Sequence, residues 1–70
     1  MIEIKQVGER ISRFRQKKGM TQIALAEKLG VTSQAISKWE RGQAFPDVSR
    51  LDELSEILDV AVAYLLTGKE

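Results

Sequence analysis

Ser33, Gln34, Ser37, Lys38 and Arg41 all carry hydrogen-bond donors and recur at spacings of one, three and four. In a helix, residues three and four apart share a face. Ala35, Ile36 and Trp39 take the opposite face of the same segment. A helix with an apolar back and a donor-rich front is suited to lying in the major groove of duplex DNA. Glutamine can pair bidentately with adenine N6 and N7, lysine favours guanine acceptors, and serine discriminates poorly. Gln34 is therefore the foremost candidate for reading a base. On an isolated helix the same face would be read as merely solvated, so the preceding residues decide the matter.

Other chemistries fare worse. The 70-residue chain has no histidine and no cysteine. That removes disulfides and thiolate or imidazole metal sites, and no nucleophile–base pair is present, so an enzyme is not expected. Asp52, Glu53 and Glu56 could be read as an acid/base or metal-binding carboxylate group. Their spacing is that of a helix surface, and a solvated face explains them better. Trp39 reads as a core anchor, not a platform for stacked bases. Arg13 and Lys17 read as solvated. Neither a metal, a cofactor nor a small-molecule ligand is implied.

The donor-rich segment needs elements to hold it. Gln22–Leu29 carries apolar Ile23, Leu25, Ala26 and Leu29 at helical spacing. Gly30 breaks that helix at no steric cost, and Thr32 can cap the next, 33–41, which Gly42 ends. Two helices joined by so short a turn need a small residue at closest approach, and Ala26 supplies it. Leu25, Leu29, Val31, Ile36 and Trp39 are placed to meet beneath the turn.

Three further helices complete the chain. Ile4, Val7, Ile11 and Phe14 form a stripe that stops at Lys18-Gly19, giving a first helix over roughly 4–18. Gly8 within it costs about 1 kcal/mol relative to alanine, which predicts fraying of the first turns. Thr21 caps the second helix. Pro46 and the N-cap Asp47 introduce a fourth helix, about 48–58, expected to bury Val48, Leu51, Leu54 and Leu58. Asp59 ends it in the left-handed conformation. A fifth helix, about 61–66, is apolar nearly all round, and Gly68 follows. No segment alternates with period two. The expectation is one all-α domain over residues 1–70 with its helical pair at 22–41.

Seventy residues bury a small core, worth roughly 3–5 kcal/mol net. Charge is unevenly spread. Residues 1–46 hold nine Lys/Arg and four Asp/Glu, whereas residues 47–70 hold two and six. The first part, at +5, can approach a polyanion, and the second, at −4, is repelled by one. The N-terminus lacks the apolar run of a signal peptide and no segment reaches membrane-spanning length, which reads as a cytoplasmic protein with no membrane partner.

The residues "RISRFRQKKG", "TQIALAEKLGVTSQAISKWERG" at 21–42, Pro46, Leu51, Leu58, Val60 and "YLLTG" at 64–68 together resemble the Xre, or Cro/cI-like, helix-turn-helix family of phage repressors and Cro proteins. The likeness covers about residues 7–68. It implies a five-helix, lambda-repressor-like domain. The implied function is a sequence-specific regulator of transcription, foremost a repressor on a palindromic operator in double-stranded DNA. Repression by excluding polymerase and activation by contacting it both fit. An antitoxin-like interaction module that also binds DNA is the alternative. Carried over by position, Ser33, Gln34, Ser37 and Lys38 would face bases. Gln22, Thr32, Arg41 and Gln43 would hold phosphates, and Arg15 would pair with Glu40. The family's habit of dimerising, with seven uncharged residues at 60–66, implies a homodimer through that segment, formed at least on DNA. Ala24 stands where many members have a capping glutamate, and Ala61 and Asp59 replace a serine cap and a Gly or Asn.

Overall fold

The three-and-four periodicity is realised as α1 (Ile4–Lys17), α2 (Gln22–Leu29), α3 (Ser33–Glu40), α4 (Val48–Leu58) and α5 (Val62–Thr67). This computed structural model describes residues 1–69. No helix among them is long and apolar enough to cross a membrane. Side-chain caps start three of the helices. Thr21 Oγ1 accepts from the Ala24 N–H, Thr32 Oγ1 from that of Ala35, and Asp47 Oδ1 from that of Arg50. Each satisfies a backbone donor that the first turn leaves without a helical partner.

Helices α1 to α4 end alike. A residue just past the helix turns left-handed, and two backbone N–H groups fold back onto the last carbonyls, the Schellman arrangement. At α2 these bonds are Val31 N–H to Ala26 and Gly30 N–H to Glu27, with φ of 71° at Gly30. At α4 the left-handed residue is Asp59, the only non-glycine among the described residues with positive φ. Helix α5 differs, since only the Gly68 N–H returns, to the Tyr64 carbonyl.

The core gathers Val7 and Ile11 of α1, Leu25, Ala26 and Leu29 of α2, Ile36 and Trp39 of α3, Leu54 and Leu58 of α4, and Leu65 of α5. Every helix contributes apolar side chains to this one core. Phe14 and Tyr64 close the α1–α5 side edge to face, with centroids 5.8 Å apart. Arg13 and Lys17 lie over the Phe14 ring, at 5.6 and 5.5 Å, and thus do more than stand in solvent.

Four expectations are revised. Val48 is 82% exposed, because α4 turns its Leu51–Leu54–Leu58 stripe inward and Val48 lies off that stripe. Ile4 is likewise exposed, so the buried part of α1 begins at Val7. Gly8 does not mark a weak turn: it is buried, and a Cβ there would lie 2.1 Å from the Trp39 carbonyl oxygen and 2.9 Å from that of Glu40. Glycine stands at Gly8 because the end of α3 rests on the bare backbone of α1. The apolar residues at 60–66 are mostly consumed by the monomer. Leu65 is fully buried, and Val60 and Leu66 pack against the core.

Candidate nucleic-acid interface

The inward half of α3 fixes its outward half. Ile36 is fully buried and Trp39 nearly so. Gln34 and Lys38 consequently stand exposed, with Ser33 and Ser37 half-buried beside them. The one side-chain hydrogen bond within this face is weak, from the Ser33 hydroxyl to Gln34 Oε1 at 3.5 Å. Lys38 and Arg41 have no ion-pair partner among the described residues. The face is thus a row of donors and acceptors with little to bind inside the molecule.

A polar knot holds this face at its angle to α2. Arg15 Nε donates to Glu40 Oε2 at 2.7 Å and Arg15 Nη2 to Glu40 Oε1 at 3.0 Å, a two-pronged pair. Arg15 Nη1 donates to the Met20 carbonyl at 2.8 Å. The two side chains are only 12% and 6% exposed. The hydrogen bond to Glu40 raises the Arg15 pKa above its ordinary value, against the opposing effect of burial, so Arg15 stays charged at every working pH. Gln22 joins the knot, its Nε2 donating to Glu40 Oε1 at 3.0 Å. Helices α1, α2 and α3 are therefore linked through one carboxylate.

That arrangement places the sequence-derived candidates in two groups. Ser33, Gln34, Ser37 and Lys38 form the α3 face. Around its ends lie Gln22 in the first turn of α2, Thr32 at the start of α3, and Arg41 and Gln43 in the loop that leaves it. The N-termini of α2 and α3 each add backbone N–H groups and the positive end of a helix dipole, a setting that attracts anions. Gln22 retains its second Nε2 hydrogen, and Thr32 its hydroxyl hydrogen, since in the observed bonds Gln22 uses one hydrogen and Thr32 only its oxygen. The loop after α3 is fixed by Gly42 at φ 71°, with the Gln43 N–H bonded to the Lys38 carbonyl at 2.8 Å.

Sequence reasoning missed Gly8, which seats this end of α3, and the sharing of Glu40 between Arg15 and Gln22. The available signal for Gly8 was a glycine next to Val7 on the buried stripe, where a cavity or a crossing backbone is the usual reason for its absence of side chain.

Residues 11–65 match the family model described as helix-turn-helix. The SPbeta prophage-derived uncharacterized HTH-type transcriptional regulator YonR of Bacillus subtilis is 44% identical over 61 residues, 87% of this chain and 56% of that protein. The chain spans about half the length, or less, of the curated relatives it matches. The P22 c2 repressor protein, solved in complex with synthetic operator 9T, superposes with a TM-score of 0.86 at 41% identity, covering 90% of this chain and 96% of that one. SinR, the master regulator for biofilm formation, solved in complex with DNA, gives 0.78 at 38% identity over 84% and 95% of the two chains. The chain belongs to the helix-turn-helix family of Xre and Cro/cI-like domains.

Proposed function

We propose that this domain is a sequence-specific regulator of transcription that lays α3 in the major groove of double-stranded DNA, acting in the cytoplasm as a repressor of a palindromic operator. The observation that carries the reading is the outward face of α3. Gln34 and Lys38 are exposed with Ser33 and Ser37 half-buried beside them, the face has only one weak internal hydrogen bond, and it sits on a helix whose back and end are held. In this reading Gln34 and Lys38 contact base edges, with Ser33 and Ser37 alongside. Gln22, Thr32, Arg41 and Gln43 grip the backbone on either side. Repression follows from occupancy, because a bound domain excludes polymerase from the same DNA.

Two copies would bind, one to each half-site about 34–36 Å apart. The contact surface in this reading is the part of residues 60–66 that the core leaves uncovered, Ala61 and Ala63 with half-buried Val62 and Leu66 beside them. The groove between Val48 and Leu51 of α4 and Val62 and Leu66 of α5 supports it. A full operator binds more tightly than two independent half-sites if this pairing occurs.

Selection of duplexes from a random pool supplies the operator. Gln34→Ala should then lose roughly 1–3 kcal/mol of discrimination at one base position while keeping its affinity for scrambled DNA. An equal loss on operator and scrambled duplexes removes Gln34 from the reading face. A pool that yields no consensus overturns sequence-specific binding.

A further inference from the structure

Lys5 lies 38 positions before Gln43, yet it sits against the loop that leaves α3. A Cβ built on Gly42 would lie 2.8 Å from the Lys5 Cα and 3.2 Å from its Cβ. Helical spacing explains the contact. Lys5 and Gly8 are three apart and share a face of α1. Gly8 carries the Trp39 and Glu40 carbonyls, so the chain continuing past Glu40 runs one turn further toward the start of α1 and crosses Lys5. The loop cannot move away from this contact cheaply. Gly42 holds the left-handed conformation, and its own N–H is bonded to the Trp39 carbonyl at 3.1 Å.

We infer that Lys5 is a further phosphate-binding residue, completing with Arg41 and Gln43 a clamp on the DNA backbone at the exit of α3. The inference rests on the DNA-binding reading above. Two observations and one physical argument carry it. The Lys5 Cα and Cβ lie against Gly42, the residue between Arg41 and Gln43. Lys5 is exposed, and among the described residues it has no ion-pair partner, although Glu3 and Glu9 are close in sequence. The anionic ligand proposed for Arg41 attracts any further cation within reach, and lysine reaches a phosphate as a flexible point charge. A lysine whose backbone is already fixed in a helix turn loses less freedom on binding than one in a loop. The contact would carry no sequence information, because it addresses phosphate only.

The test is the salt dependence of binding to a fluorescent duplex of scrambled sequence, with operator DNA in parallel. Lys5→Met keeps the contact of Cα and Cβ with Gly42 and an unbranched apolar side chain, and removes the charge. The slope of log affinity against log salt should become shallower by about 0.9, the value for one phosphate contact, equally on both duplexes. Lys5→Arg should restore the wild-type slope. Lys28→Met, the same charge change at the far end of α2, should leave the slope within error of wild type. Circular dichroism melts of Lys5→Met establish that the fold is retained. An unchanged slope for folded Lys5→Met, or a change matched by Lys28→Met, overturns the inference and leaves the DNA-binding reading intact. Failure of the wild-type chain to bind either duplex overturns both together.

Discussion

Helices α3 and α5 both rest their C-terminal ends on α1, by opposite means. The end of α3 satisfies its own carbonyls: the Gln43 and Gly42 N–H groups take those of Lys38 and Trp39. It settles directly on the backbone at Gly8 and is pinned by the Arg15–Glu40 pair. The end of α5 has only the Gly68 N–H returning to Tyr64. Its Leu65 and Leu66 carbonyls instead receive the Arg10 guanidinium, at 3.1 and 3.3 Å, from 55 and 56 residues away. The first attachment is a backbone contact that cannot slide. The second is a long side chain that can. The helix that carries the proposed reading face has the stiff seat, and the helix at the edge has the adaptable one.

Removing the pin tests this most severely. Glu40→Ala leaves Arg15 largely covered and Gln22 without its acceptor, which should cost about 3–5 kcal/mol, as when one side of a buried pair is lost. That equals the whole reserve expected of so small a domain, roughly 3–5 kcal/mol, so urea titration at 25 °C should find the variant substantially unfolded. A loss under about 1 kcal/mol would put the pair in the class of exposed ones and remove the stiff seat from the comparison.

Gly8→Ala sets two effects against each other. Helix propensity alone predicts a gain of about 1 kcal/mol. The new methyl, 2.1 Å from the Trp39 carbonyl oxygen, must push α3 away, and overpacking costs up to about 3 kcal/mol. We expect packing to win, for a net loss of about 2 kcal/mol and weaker DNA binding. A stabilised variant with unchanged affinity would show that the seat of α3 is soft.

Arg10→Met should have a smaller and more local effect. The stem remains, while two charge-assisted bonds in a partly exposed place disappear, a loss of about 1–2 kcal/mol. Hydrogen exchange should quicken in α5 and leave α3 protected. If both helices exchange faster to the same degree, α5 is not separately tethered and the two seats are equivalent.

The smallest effect concerns a helix start that neither seat governs. The Arg50 backbone N–H, and after it the Ser49 hydroxyl, hold the Asp47 carboxyl below its ordinary value of 3.8. The charged cap therefore contributes fully above that value, and its contribution is lost as pH falls through the lowered one. Asp47→Asn keeps an acceptor without the titration. The stability difference between wild type and variant should be constant above pH 3.8 and shrink below it. A difference that grows on acidification would mean the carboxyl binds protons more tightly when folded.

Much was legible before any coordinates. The caps Thr21, Thr32 and Asp47, the left-handed Gly30 and Asp59, and the bounds of α2 and α4 follow from interactions within four or five residues, and the chain carries that information locally. The division of α3 into an apolar back and a polar front is equally local, since helical periodicity alone assigns the faces. Val48 was misjudged for the complementary reason: a side chain at the edge of a stripe is buried or exposed according to how its helix is rotated against its neighbours.

What the sequence determined by itself is therefore the number and kind of elements, where they start and stop, and which surface of α3 is left polar and outward. Tertiary structure alone decided that Gly8 lies under Trp39, that Arg10 closes α5, that Gln22 shares Glu40 with Arg15, and that Lys5 stands beside Gly42. Each of these joins residues at least 18 positions apart through a contact of a few ångströms. Periodicity and capping carry no information at that range, because such contacts exist only once all five helices have buried their stripes in the same core.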